Sequence, residues 1–181
     1  ITASQAIIKG LSSDRGLFVP SEFKNLKSEL KNLVNLDYKE LAYVILKEFL
    51  TDYSEKELKY CINSAYDEKF DTEKCAFKDM ALTIMPYLLK TAIEKNNLKE
   101  EVVILTATSG DTGKAALEGF KDVDKIKIVV FFPENGVSNI QKLQMKTTGG
   151  NNTCVVGING NFDDAQTGVK NIFADTNFNK D

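Results

Sequence analysis

Histidine is absent from all 181 residues, and that one gap removes a wide range of chemistry. Without imidazole there is no Ser-His-Asp arrangement, no histidine-ligated metal and no histidine acid or base. Cysteine is scarce as well. Cys61, Cys75 and Cys154 are odd in number, widely spaced and without a C-x-x-C pair. That pattern excludes a disulfide framework and a zinc or redox motif, and it fits three reduced thiols in a cytoplasmic protein. Charge of one sign is lacking too: the net charge is −3, with acidic and basic residues interspersed, so no basic stripe could neutralise a nucleic-acid backbone. The longest mostly apolar stretch, Met80 to Leu89, is far shorter than the roughly 20 residues a membrane span needs. The N-terminus has no signal-peptide layout, and opening on Ile1 rather than Met fits a chain with an earlier segment. What remains for chemistry is lysine, hydroxyls, carboxylates, backbone groups or a cofactor, with no metal expected.

The apolar fraction of 43% and charged fraction of 27% are those of an ordinary globular protein. The first seventy residues read as helical. Thr2 with Gln5, Asp37 with Glu40, and Ser54 with Glu57 are capping-box patterns that open three helices, and Gly10 stands where the first should stop. Tyr38, Leu41, Ala42, Ile45, Leu46 and Phe49 follow the helical period, as do Leu58, Cys61, Ile62, Ala65 and Tyr66. Residues 12–16 read as a turn before the short apolar run Leu17-Phe18-Val19, which Pro20 ends. Phe77 to Lys90 is apolar nearly all round, which predicts a helix buried on most sides, with Pro86 kinking or breaking it. From Val102 an alternation begins. The apolar runs 102–105, 126–132 and 153–158 are each followed by a helical pattern, over 114–120, 138–146 and 162–174. Strands separated by helices predict parallel β-α-β units. The chain thus divides into a helical region 1–74, a lysine-bearing helix 75–97 and a small parallel-sheet α/β domain 98–181, with helices on both faces of the sheet.

In such sheets ligands sit where a strand's carboxyl end meets the next helix, which points to Thr106-Ala107-Thr108-Ser109-Gly110-Asp111-Thr112-Gly113. Hydroxyls, two glycines and a row of N–H groups at a helix start suit a carboxylate or phosphate. The same residues also suit an ordinary βα turn with a hydroxyl cap. The stretch is not a P-loop: Thr108 stands where that motif has its first glycine, and Ala115 where it has its Ser/Thr. Lys78 is the second feature, at the start of the apolar helix. A snorkelling lysine is the plain reading. The functional one is an amine whose ammonium form is disfavoured by partial desolvation and the positive end of the helix dipole, as imine chemistry requires.

Taken in chain order, five pieces resemble one family. Gly10-Leu11 with Asp14 and Gly16-Leu17-Phe18-Val19-Pro20 resembles the N-terminal pattern of threonine synthases. Ala76-Phe77-Lys78-Asp79 is similar to their cofactor-lysine motif, and Ser109-Gly110-Asp111-Thr112-Gly113 to their substrate loop. Pro133 with Ser138, Gln141, Gln144 and Met145, and then Asn161-Phe162-Asp163-Asp164-Ala165-Gln166, resemble two later segments. The resemblance implies the fold type II architecture of pyridoxal 5'-phosphate (PLP) enzymes. It also implies conversion of O-phospho-L-homoserine and water to L-threonine and phosphate. Lys78 would carry PLP and shuttle protons. Phe77, Ser109 and Asp111 would contact the cofactor, and Thr108, Ser109, Gly110, Asp111, Thr112 and Gly113 the substrate. Because an anion facing a carboxylate repels it, Asp111 is expected to offer its backbone, or to bind a neighbouring hydroxyl through its side chain. Family members carry H-G-P-T before the lysine motif, whereas here Lys74-Cys75 precede Ala76, so a break is expected near Lys74–Cys75. They also carry a later portion with the cofactor-phosphate loop, which these residues do not include. A related PLP-dependent phospho-lyase, or a non-catalytic fragment that binds an amino acid or PLP, would share the same parts.

Overall fold

The computed structural model describes residues 1–14, 16–67, 77–175 and 177–178, without the side chain of Phe77. Cys75, Ala76 and the expected break near Lys74–Cys75 lie outside the described residues. The chain divides into two compact units, one of 1–76 with 83–98 and the other of 77–82 with 99–181.

Helix starts in the first unit follow the caps written in the sequence. Thr2 opens α1 (Ala3–Lys9), Asp37 opens α3 (Tyr38–Phe49) and Ser54 opens α4 (Glu55–Ala65), with α2 a single turn (Leu30–Leu33). In each of the three longer helices the cap side chain accepts the N–H three residues on, and Gln5, Glu40 or Glu57 takes the cap's own N–H. Two of the four N–H groups that a helix start leaves unbonded are thereby satisfied. Gly10 ends α1 at φ 70°, a conformation open to glycine without side-chain strain. The turn before Leu17 closes through Asp14, whose carboxylate accepts the Gly16 N–H at 2.9 Å.

Leu58, Cys61, Ile62 and Ala65 form the buried face of α4, and they meet Ile84, Leu88 and Ala92 of α5 (Phe77–Lys95). Tyr53 joins them, its hydroxyl donating to the Leu88 carbonyl at 2.9 Å. Helix α3 lies at the edge of this core: Ala42 and Leu46 pack against it, while Ile45 and Phe49 are exposed.

Of the kink or break expected at Pro86, the break does not occur, and α5 is one helix through it. Proline cannot donate to the Leu82 carbonyl and costs about 3 kcal/mol in a helix interior. Here Pro86 is itself fully buried, in a stretch with Ile84, Leu88, Leu89, Ala92 and Ile93 also buried, and burial at about 25 cal/mol per Å² of apolar surface offsets that cost. The helix is shared between the units, 77–82 in one and 83–95 in the other.

A buried polar cluster ties three parts of the first unit together. Ser4, 1% exposed, donates its hydroxyl to Asp52 at 2.5 Å and accepts the Asn96 amide at 2.9 Å. Burial pushes the Asp52 carboxyl up, but hydrogen bonds from Ser4 and Thr2 outweigh it and hold the group below its usual value. A lowered carboxylate pKa contributes stability above the unfolded value, about 3.9, and that contribution is lost as pH falls through the folded one. Ser4→Ala should therefore destabilise at pH 7 by about 1–2 kcal/mol, with a smaller loss at pH 3. Urea midpoints at the two pH values measure this, and an equal loss at both would contradict it.

The second unit holds three parallel strands in the order β1 (Val102–Ala107), β2 (Ile126–Pro133), β3 (Thr153–Ile158). Val102 pairs with Ile126 and Ile128 with Thr153. The helices between and after them are α6 (Asp111–Phe120), α7 (Asn139–Thr147) and α8 (Phe162–Ala174). Strand β1 runs two residues beyond its expected end, and α6 starts three residues early. Alternate residues of β2, namely Ile126, Ile128, Val130 and Phe132, are buried on one face. Gly113 of α6 sits against Val130, and Lys146 of α7 lies 5.9 Å from the Phe132 ring centroid, so both helices cover that face. Helix α8 packs on β1 and β2, completing a helix–sheet–helix layering. No described helix is long and apolar enough to cross a membrane.

Candidate functional site

Only three residues separate the end of β1 at Ala107 from the start of α6 at Asp111, and one hydroxyl shapes them. Thr108 is 1% exposed. Its Oγ1 accepts the N–H groups of Gly110 at 3.0 Å and Gly113 at 2.9 Å, and donates to the Gly110 carbonyl at 3.2 Å. A hydroxyl has one proton and two lone pairs, so this set uses it completely. Thr108, expected among the groups facing a substrate, is instead turned inward and holds the turn.

The two glycines are also structural. Gly110 has φ 143° and ψ −94°, and a Cβ there would lie 2.6 Å from Cδ of Gln141. A Cβ on Gly113 would lie 2.5 Å from Cγ2 of Thr108 and 3.0 Å from Cγ1 of Val130. Their missing side chains let α6 approach the sheet and let the turn close under it. Ser109 and Asp111 remain exposed, with Thr112 half-buried. The N–H groups of Asp111 and Thr112 are the first two of α6 and have no acceptor within the helix. The loop thus separates into a buried frame (Thr108, Gly110, Gly113) and an outer surface of one hydroxyl, a helix N-terminus and the Asp111 carboxylate.

Of the two expectations for Asp111, a backbone turned to the ligand or a side chain on a neighbouring hydroxyl, the second is not met among the described residues: the carboxylate is bound by an amide. Gln141 Nε2 donates to Asp111 Oδ1 at 2.9 Å. The residue stood in a segment recognised by resemblance, with no role attached. Ser138 with Gln141 forms the capping box of α7, a spacing the sequence contains, but no local pattern could show what the other end of the amide reaches.

Lys78 is exposed, so the partial desolvation expected from its apolar helix is not present. Burial in α5 begins at Ile84, two turns later. The first residues of the helix, 77–82, belong to the same compact unit as the sheet and the loop. Among the described residues no cluster of His, Cys, Asp and Glu could hold a metal ion. A groove lined by Ile1, Ile7, Phe18, Pro20 and Phe49 belongs to the first unit and contains none of the expected site residues.

The family described as threonine synthase N terminus matches residues 1–66. Human threonine synthase-like 1 is 38% identical over 97% of this chain and 27% of its own length. The threonine synthase of Pseudomonas aeruginosa is 36% identical over 96% of this chain and 41% of its own. Among solved structures, Escherichia coli threonine synthase superposes with a TM-score of 0.83 at 29% identity, over 98% of this chain and 44% of that one. PLP-bound threonine synthase from Brucella melitensis gives 0.81 at 30% identity, over 98% and 43%. The chain therefore spans less than half the length of each of these relatives.

Proposed function

This chain is related along nearly its whole length to the N-terminal part of threonine synthases and has the corresponding fold type II architecture, and from that premise we propose that its protein is a PLP-dependent lyase forming L-threonine and phosphate from O-phospho-L-homoserine and water. The observation that carries the reading is the loop after β1. Its buried hydroxyl and glycines are spent on shape, which leaves Ser109 and the start of α6 facing outward. A helix N-terminus with an adjacent hydroxyl suits a substrate carboxylate.

The residues present fit the cofactor's needs. Lys78 is an exposed amine in the first turn of α5, sterically open to an aldehyde carbon. Bound PLP supplies an electron sink for the carbanion chemistry. In this reading Nζ of Lys78 would hold the cofactor, and the same amine would take and return protons at the α and β carbons of the substrate. Ser109 Oγ and the N–H groups of Asp111 and Thr112 hold the carboxylate, while Thr108, Gly110 and Gly113 keep those donors in place. Helices α1 to α4 act as scaffold.

Phosphate release by the full-length protein with PLP tests the proposal. O-phospho-L-homoserine should be turned over at least about tenfold faster than O-phospho-L-threonine, a difference of roughly 1.4 kcal/mol in activation free energy, with L-threonine as product. The reverse preference would favour a phospho-lyase acting on a related phosphorylated amino acid. That second reading is supported by the 38% identity to a protein named only as threonine synthase-like.

A further inference from the structure

The amide of Gln141 is held at both ends. Its Oε1 accepts the N–H of Ser138 at 3.1 Å and the Ser138 hydroxyl at 3.0 Å. Its Nε2 donates to Asp111 Oδ1 at 2.9 Å. Because both Ser138 groups can donate to Oε1 while a carboxylate can only accept, the amide cannot be flipped without losing these bonds. One side chain therefore closes the cap of α7 and fixes the carboxylate at the first position of α6. Gly110 makes room for it, since a Cβ there would lie 2.9 Å from Gln141 Oε1.

We infer that Gln141 is a positioning residue for the substrate carboxylate: it holds the Asp111 side chain aside, so that the first N–H groups of α6 face an anion without the Asp111 charge among them. The inference rests on the proposed reaction and adds a residue that the reaction alone does not require. Asp111 is exposed, and without a partner its carboxylate would be free to rotate in front of its own helix N-terminus. There it would compete with the substrate for the same donors. Ser138 needs an acceptor at position 141, whereas Asp111 needs a donor there, and the Gln141 amide offers both at once.

That difference supplies a clean test. Gln141→Glu keeps the acceptor for Ser138, since Ser-x-x-Glu is itself a capping box, and replaces only the donor that faces Asp111. In the full-length protein with PLP, this variant should raise KM for O-phospho-L-homoserine and the dissociation constant of L-threonine by roughly tenfold. That is the scale of one hydrogen bond to a charged group plus a new repulsion. Its kcat should change by less than about threefold, because binding is lost from ground and transition states alike. Asp111→Asn with Gln141→Glu reverses donor and acceptor. The double variant should bind L-threonine within about threefold of the Asp111→Asn single variant, a coupling that a double-mutant cycle isolates. Unchanged KM and L-threonine affinity in Gln141→Glu would overturn the inference while leaving the functional reading intact. So would failure of the double variant to recover, which would mark Gln141 as merely a fold-stabilising side chain. A wild-type protein that neither releases phosphate nor binds L-threonine would overturn both the functional reading and the role inferred for Gln141.

Discussion

Lys78→Ala should lower L-threonine formation by the full-length protein by roughly 10⁴-fold or more, since one side chain is assigned both the covalent attachment and the proton transfers. The exposed position makes the test interpretable. Lys78 lies in the first turn of α5 and is not part of either core. Alanine is at least as good a helix former as lysine, so the melting temperature should hold and the loss would belong to chemistry rather than folding. Lys78→Arg should be as inactive, because a guanidinium keeps the charge but does not form the imine. Borohydride reduction of the PLP-loaded wild type should leave one cofactor increment on a peptide containing Lys78, and none in either variant. Turnover near the wild-type level in Lys78→Ala would remove that residue from the reaction, whatever the rest of the protein does.

Gly110→Ala should destabilise the second unit by about 3 kcal/mol. An L side chain at positive φ contributes part of this and forced displacement of Gln141 the rest. The turn has little freedom to absorb the change. The Gly110 N–H and carbonyl are both bonded to Thr108, and Gln141, which would have to move, is pinned by Ser138 and Asp111. Gly168→Ala is the matched comparison. It lies inside α8 with nothing within 4 Å of an added Cβ, so replacing a mid-helix glycine should stabilise by roughly 0.5–1 kcal/mol. Urea unfolding of the two variants should move the midpoint in opposite directions at unchanged slope. A neutral Gly110→Ala would mean that the loop readily adopts another conformation, and the frame described for the site would not stand.

Much of the architecture was legible from local patterns. The caps at Thr2, Asp37 and Ser54 open the helices they announce, and the bounds of β3 and α8 agree with the alternation of apolar and polar residues. These features are set by hydrogen bonds three residues apart or by side-chain periods of 2 and 3.6, which a single strand of text displays. Boundaries drifted where a tertiary contact extends an element. Thr108 N–H bonds to the Phe131 carbonyl, which carries the ladder past the apolar run of β1, and the inward Thr108 hydroxyl allows α6 to begin at Asp111 rather than Lys114.

By itself the amino-acid order determined which side chains these 181 residues offer for chemistry and that the sheet is parallel, and it pointed to the loop at the end of β1 and to Lys78 as candidates. Tertiary structure alone decided the rest. It carried α5 unbroken through Pro86, left Lys78 exposed, turned Thr108 inward, and brought Gln141 to Asp111 across thirty residues of chain. The physical reason is common to all four. Burial and hydrogen-bond satisfaction depend on which surfaces meet, and residues far apart in sequence meet only after the strands have paired and the helices have packed on them.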